Sequence, residues 1–364
     1  MNILIFFVIL LVLVLVHEAG HFWTAKRFGI RVDEFGFGFP PKAMTLFKKG
    51  ETEYTLNWLP IGGFVKIFGE DPNEENINGP DAGRSFVNKP KWQQAIVLFA
   101  GIFANFLLAW LLFSIGFMSG MPTSTQGASE NIKITDAHLT VVSVLKDSPA
   151  EISGLKTGDK ILYLTSGADT TTTLTPEAIK SFVTGHADKE IEVGYIRKNE
   201  TTFVKLTPAL NKDSAPAIGI AMDEIGIAKL SFFPALWEGL KLDWTVTKGT
   251  VVGLYTLIAD GIRGEGSFAS VSGPVGMVGI VGDASKFGFA YLLSFAALIS
   301  VNLAIINLIP FPALDGGRLL FLLIEKIKGS RIRPEIANTA NTIGFGILII
   351  LMIVVTYHDI VKLF

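Results

Sequence analysis

The 364 residues include no cysteine. Disulfides and thiolate metal ligands are thereby excluded, and any metal must be held by His, Asp or Glu. Charge is scarce as well: Asp, Glu, Lys and Arg make up 18% of the chain, and the net charge is −2. Such a chain exerts no strong electrostatic pull on nucleic acid. Histidine is rare, with five in all. The first apolar run has no basic residue before it and ends in His17-Glu18 rather than in small residues. It therefore lacks the marks of a cleaved signal peptide. Hydrophobic residues, at 49%, fill the space, and the mean hydropathy is +0.47. That balance points to a membrane protein with a soluble part.

A spanning helix needs about 20 mostly apolar residues. Four segments qualify: Asn2 to Trp23, Gln93 to Met118, Phe287 to Ile309 and Ile336 to Tyr357. Lys26, Arg27 and Arg31 follow the first, and Arg318, Lys326, Lys328, Arg331 and Arg333 lie between the third and fourth. Short basic loops mark the cytoplasmic side, which places both termini outside the cytoplasm. Spans one and three then both end at the cytoplasmic face.

Near the end of span one stands His17-Glu18-Ala19-Gly20-His21. Residues at i and i+4 lie about 40° apart on a helix, so both imidazoles reach one metal from the same face. Glu18 is placed to take a proton from a metal-bound water. Three ionisable groups within a membrane segment are costly, and a shared task such as metal binding explains them better than hydrogen bonding on a core helix. A catalytic zinc usually takes a third protein ligand. His138 and His186 fall in the soluble part and His358 at the far end of span four, so topology keeps them away. Asn307-Leu308-Ile309-Pro310-Phe311-Pro312-Ala313-Leu314-Asp315-Gly316-Gly317 closes span three at the right level. Its prolines break the helix, and its glycines permit close backbone approach. Asp315 offers a carboxylate there; the plainer alternative is that it caps the helix that follows.

Residues 119–222 have a different character, with short β-rich runs at Leu139 to Leu145, Lys160 to Leu164, Glu190 to Arg197 and Thr201 to Thr207, and a hairpin turn at Asn199. Thr175-Pro176 reads as a capped start of a helix reaching about Thr184. This predicts an α+β domain outside the cytoplasm. Between Pro234 and Ile262, apolar residues recur at helical spacing but are broken by charges, which suits an interfacial helix lying on the outer leaflet or on the bundle, the alternative being a helix packed on the soluble domain.

Together these landmarks resemble the site-2 proteases, zinc proteases that cleave inside the membrane. The match rests on His17 to His21, on Ala100-Gly101-Ile102-Phe103-Ala104-Asn105, on Ser272-Gly273-Pro274-Val275-Gly276 and on Asn307 to Gly317, in the family's order. The resemblance implies Zn2+ on His17, His21 and Asp315, with Glu18 as general base. It implies a PDZ-like soluble domain, with Ser148-Pro149-Ala150 and Gly154-Leu155-Lys156-Thr157-Gly158-Asp159 at its turns. It implies a membrane-associated β-hairpin within Val32 to Ile67, where Gly36-Phe37-Gly38 and Pro60 to Lys66 fit the family pattern. An edge strand there would pair with an unwound substrate. Asn307, Gly62, Gly63 and Asn105 form the substrate-contacting set on this reading. Some family members carry two tandem PDZ domains, whereas about 100 residues here hold one.

The expected fold is an α-helical membrane protein of four transmembrane helices, with the hairpin and one inserted extracytoplasmic α+β domain. Its parts are 1–28, span one with the motif; 29–91, the hairpin and loop; 92–118, span two; 119–222, the PDZ-like domain; 223–286, an interfacial helix and linker; 287–317, span three and the third-ligand segment; 318–335, a basic loop; and 336–360, span four. The expected function is hydrolysis of peptide bonds in transmembrane segments of single-span partners, such as anti-sigma factors or signal-peptide remnants, in a bacterial plasma membrane. Membrane lipid and a C-terminal peptide or partner protein for the PDZ-like domain complete the partners. A PDZ scaffold with a structural metal site is the rival reading.

Overall fold

In hydrocarbon every backbone polar group must find its partner within the chain, so long apolar runs fold as helices. The computed structural model describes residues 2–70, 74–126, 132–197, 200–210, 215–264 and 273–361. Among them, four helices are long and apolar enough to cross a membrane: α1 (Asn2–Arg27), α3 (Lys91–Ser119), α8 (Phe289–Leu308) and α10 (Pro334–Val361). Asn199 and Ser272 lie outside the described residues.

The chain divides into two compact units. The first comprises residues 1–116 and 232–364 and holds the four long helices. Its β1 (Val32–Lys49) and β2 (Thr52–Ile67) form an antiparallel hairpin with several register shifts. At its base, Val32, Phe35, Val65 and Ile67 pack with Ala25, Ile30, Phe86, Val97 and Leu98. Towards its tip, Phe39, Met44, Leu46, Phe47, Leu56, Trp58 and Leu59 are exposed. Gly63 lets the hairpin press on α1, since a Cβ there would meet Leu15 Cδ2 at 2.9 Å and the Gly36 carbonyl at 2.8 Å. A short helix, α2 (Glu74–Asn78), follows.

The stretch expected to be an interfacial helix and linker contains two helices, α6 (Phe232–Arg263) and α7 (Pro274–Phe287). α6 packs on the long helices, in keeping with a helix lying on the bundle. Trp110 Nε1 donates to the Leu236 carbonyl at 2.8 Å, a Cβ on Gly239 would meet Ser114, and Thr250 Oγ1 donates to Asn302 Oδ1 at 3.0 Å. Gly273 and Gly276 open α7 by donating their backbone amides to the Asp359 carboxylate at 3.0 and 2.8 Å. The expected basic loop is another correction: α9 (Asp315–Lys328) is a helix, closed by Gly329 at φ 74. Its Leu319 and Leu322 pack on the cluster at the hairpin base, a pattern that the basic residues around it obscure in sequence.

The second unit runs Phe117–Ser231. Its antiparallel sheet has the order β3-β11-β4-β5-β7-β8, with β6 paired to β5. The strands are β3 (Met121–Ser124), β4 (Ile134–Val144), β5 (Lys160–Ser166), β6 (Asp169–Thr171), β7 (Ile191–Arg197), β8 (Glu200–Leu206) and β11 (Ile220–Ala228); β9 (Ala209–Leu210) and β10 (Pro216–Ala217) form a separate pair. The boundary expected at 222 falls inside β11, which pairs with both β3 and β4 and so carries the unit beyond it. Helices α4 (Pro149–Ile152) and α5 (Pro176–Gly185) complete the unit. Thr175 caps α5 by accepting from the Ala178 amide at 3.2 Å. Leu139, Val141, Ile161, Leu164, Ile179, Val183, Ile191 and Val193 centre its core.

Candidate metal centre

Two glycines allow the close helix contacts behind the site. A Cβ on Gly20 would meet the Ala100 carbonyl oxygen at 2.4 Å, so α1 and α3 touch backbone to backbone there. A Cβ on Gly101 would strike His21 Nε2 at 2.3 Å; the imidazole lies where only glycine leaves room. The third group arrives by a break in the helix. α8 ends at Leu308, Ala313 takes φ 75 with its amide donated to Asn341 Oδ1 of α10 at 3.1 Å, and α9 begins at Asp315. Gly316 and Gly317 let this turn fold tightly, since a Cβ on either would meet carbonyl oxygens of residues 308 to 311 within 2.3 Å.

The result is a triangle of donor atoms. His17 Nε2 lies 3.0 Å from Asp315 Oδ2, His21 Nε2 lies 3.3 Å from the same oxygen, and the two Nε2 atoms are 3.1 Å apart. Both imidazoles are buried. Ligands held about 2.0–2.2 Å from a tetrahedral zinc stand about 3.3–3.5 Å apart, so the triangle is close to one face of such a site. The tautomers agree. His21 Nδ1 is 2.8 Å from the Val97 carbonyl, which only accepts, so Nδ1 carries a hydrogen and Nε2, turned toward Asp315, is the nitrogen placed to ligate. Two imidazole nitrogens and a carboxylate gathered this closely can hold a cation among them. The donor set of two nitrogens and one oxygen, without sulfur, fits zinc.

Asn105 stands behind His17 and is completely buried. Its side-chain amide is 3.3 Å from His17 Nδ1, and its Oδ1 has no partner among the described residues. Turning the amide by 180° presents Oδ1 to an Nδ1–H of His17 and satisfies both groups. The expectation of substrate contact is corrected here: a side chain sealed behind a ligand orients the imidazole. The Ser300 hydroxyl, donating to the Asn105 carbonyl at 2.8 Å, ties this part of α3 to α8.

A cleft of about 460 Å3 opens on the triangle, lined by His17, Glu18, His21, Gly63, Val65, Asn307 and Asp315 among others. Glu18, Asn307 and Gly63 thus share one space with the donors, whereas Gly62, with φ 74, sits beside it against Phe39 and Val14. The Asp315 carboxylate faces the histidines, with Oδ2 3.0 Å from His17 Nε2, which disfavours the plain capping role. Sequence reading missed Arg318 and Glu70, which line the cleft as an ion pair. The signal for Arg318 was its place one turn after Asp315. Glu70 carried none.

Comparison with known proteins agrees with this geometry. The model of peptidase family M50 matches residues 5–351. The regulator of sigma-W protease RasP of Bacillus subtilis is 30% identical, with 100% of this chain and 99% of that protein covered. The zinc metalloprotease RasP of Bacillus licheniformis is 31% identical, with 100% of both covered. A Clostridium perfringens relative is 35% identical over 96% of this chain and 95% of its own. Among solved structures, the PDZ domain of the SdrC-like protein of Listeria monocytogenes matches 25% of this chain and 92% of that one at 21% identity, with a TM-score of 0.21. The chain belongs to peptidase family M50, the site-2 protease family, and is a zinc metalloprotease of that type.

Proposed function

We propose that this protease hydrolyses peptide bonds within transmembrane segments of single-span proteins. The observation that carries the reading is the place of the donor triangle. His17, His21 and Glu18 belong to α1, and Asp315 follows directly on α8, so the cleft is walled by two helices of spanning length. Short basic segments at Lys26 and Arg27 and at Lys326 to Arg333 support a site near the cytoplasmic face of a bacterial plasma membrane. By the same parity the second unit is extracytoplasmic. Its main antiparallel sheet with two helices suits a PDZ-like role, holding a C-terminal peptide or partner protein. The name of the Bacillus subtilis relative, regulator of sigma-W protease, supports a regulatory protein as substrate.

His17, His21 and Asp315 would hold the zinc, which when bound supplies a Lewis acid for the scissile carbonyl and a water of lowered pKa. Glu18 takes the proton of the attacking water and passes it to the leaving amine. Val97 and Asn105 keep the two imidazoles oriented through their far nitrogens. A helical substrate hides its carbonyls, so it must unwind. The stretch of β2 from Gly63 to Val65 borders the cleft and offers backbone groups for strand pairing, and Asn307 offers an amide to the peptide.

The test is co-expression with a panel of tagged single-span proteins, comparing the wild type with Glu18→Gln. Cleavage should fall by about 10³-fold, within the range for a lost general base, with zinc content unchanged. Full cleavage by the variant would remove Glu18 from the chemistry. A panel untouched by the wild type, with partners still bound by the second unit, would favour the scaffold reading.

A further inference from the structure

α9 joins the metal centre to a basic, outward-facing surface. Its first residue is Asp315, and its inward face, with Arg318, Phe321, Leu322 and Glu325, lines protein cavities. Glu325 pairs with Lys91 at the start of α3, and Arg331, just past the helix, donates to Asn88 Oδ1 at 3.0 Å. The opposite face carries Leu320, Leu323, Ile324 and Ile327, all exposed, the last at 79%. At about 100° per residue these four form one stripe, with Lys326 and Lys328 on its two flanks. Both lysines are exposed, as is Arg333, and none of the three has an ion-pair partner among the described residues. An apolar stripe edged by lysines is the form of a helix that lays its stripe on acyl chains and extends its ammonium groups to headgroups.

We propose that the basic edge of α9 binds the headgroups of anionic phospholipids and thereby holds Asp315 against His17 and His21. The occupant follows from charge: Lys326, Lys328, Arg331 and Arg333 lie within eight positions of one another, and a polybasic edge is drawn to an anionic surface. Mechanical coupling follows from the fold. α9 runs unbroken from Asp315 to Lys328, and Gly316 and Gly317 pack closely on the preceding turn, so one helix links the basic edge to Asp315. The inference rests on the membrane-protease reading and adds a regulator of that site.

The experiment reconstitutes the full chain into vesicles of phosphatidylcholine alone and of phosphatidylcholine with an equal part of phosphatidylglycerol. Release of zinc to a chelator and cleavage of a single-span substrate are both followed. The wild type should lose zinc about tenfold more slowly, a difference of about 1.4 kcal/mol, and cleave faster, in the mixed vesicles. Lys326→Glu with Lys328→Glu should erase the difference between the two compositions. Lys326→Arg with Lys328→Arg should keep it. Equal zinc release by the wild type in both lipids, or an unchanged lipid response in the double Glu variant, would overturn the proposal. Zinc release needs no substrate, so loss of the lipid effect is distinguishable from failure of the protease reading, which would show as no cleavage in either lipid with the zinc response intact.

Discussion

In the inserted unit, Asp159 is buried and Arg197 closes on it with two hydrogen bonds of 2.6 Å, while the Lys156 amide donates to the same carboxylate at 2.8 Å. Arg197 Nη2 also donates to the Gly154 carbonyl at 2.8 Å, so one ion pair secures the whole Gly154 to Asp159 turn. The helical unit also buries ionisable groups, but His17, His21 and Asp315 turn three potential ligand atoms toward one another at the wall of a cleft. One cluster is closed on itself and serves the fold. The other faces an open space and suits chemistry. Burial of charge alone does not mark a functional site; what marks this one is a set of ligand atoms converging on a cleft.

Breaking each cluster should therefore have separate consequences. Asp315→Ala leaves two ligands and should abolish both zinc retention and cleavage, with the second unit's protease resistance unchanged; zinc content after purification checks it. Arg197→Ala strands a buried carboxylate and should destabilise the second unit by about 3 kcal/mol, read as faster proteolysis within residues 117–231 of the full chain, while zinc content holds. Asn105→Leu removes only the partner of His17 Nδ1 and should weaken zinc binding by about 10- to 100-fold, measured by chelator competition. An unchanged affinity would show that His17 needs no orienting group.

The smallest effect concerns a third buried charge, Asp243 on α6, whose Oδ1 has no partner among the described residues. Burial pushes its carboxyl up to about 6. A raised carboxyl value means the fold favours the protonated form. That contribution is whole at low pH and is lost as pH rises through about 6. Asp243→Asn should then raise thermal stability at neutral pH by about 1–2 kcal/mol and change little below about pH 4, as melting curves at the two conditions would show.

Much of the site was legible because its signals are local. The spacing of His17 and His21 places two ligand candidates on one helical face, and the Pro-rich segment announces a broken helix. Gly20 and Gly101 were visible as motif letters, but their reason is tertiary, a backbone contact between α1 and α3 and a ring seated on a missing Cβ. Asn105 was legible as important and not as an orienting residue, because its role depends on which side of His17 it occupies. The extent of β11 and the packed face of α9 were hidden for the same reason: strand pairing partners and packing partners lie far away in sequence.

The chain's own order of residues determined a membrane-embedded metal hydrolase: four apolar runs, two histidines one helical turn apart, a glutamate between them and no sulfur ligands. Only the folded structure decided that Asp315, 298 residues from His17, comes within 3.0 Å of it, and that Glu70 and Arg318 share the cleft. The physical reason is range. Helical periodicity acts over a few residues and can be read along the chain, whereas the convergence of α1, α3 and the α8–α9 turn depends on glycine-permitted contacts between segments that no local pattern connects.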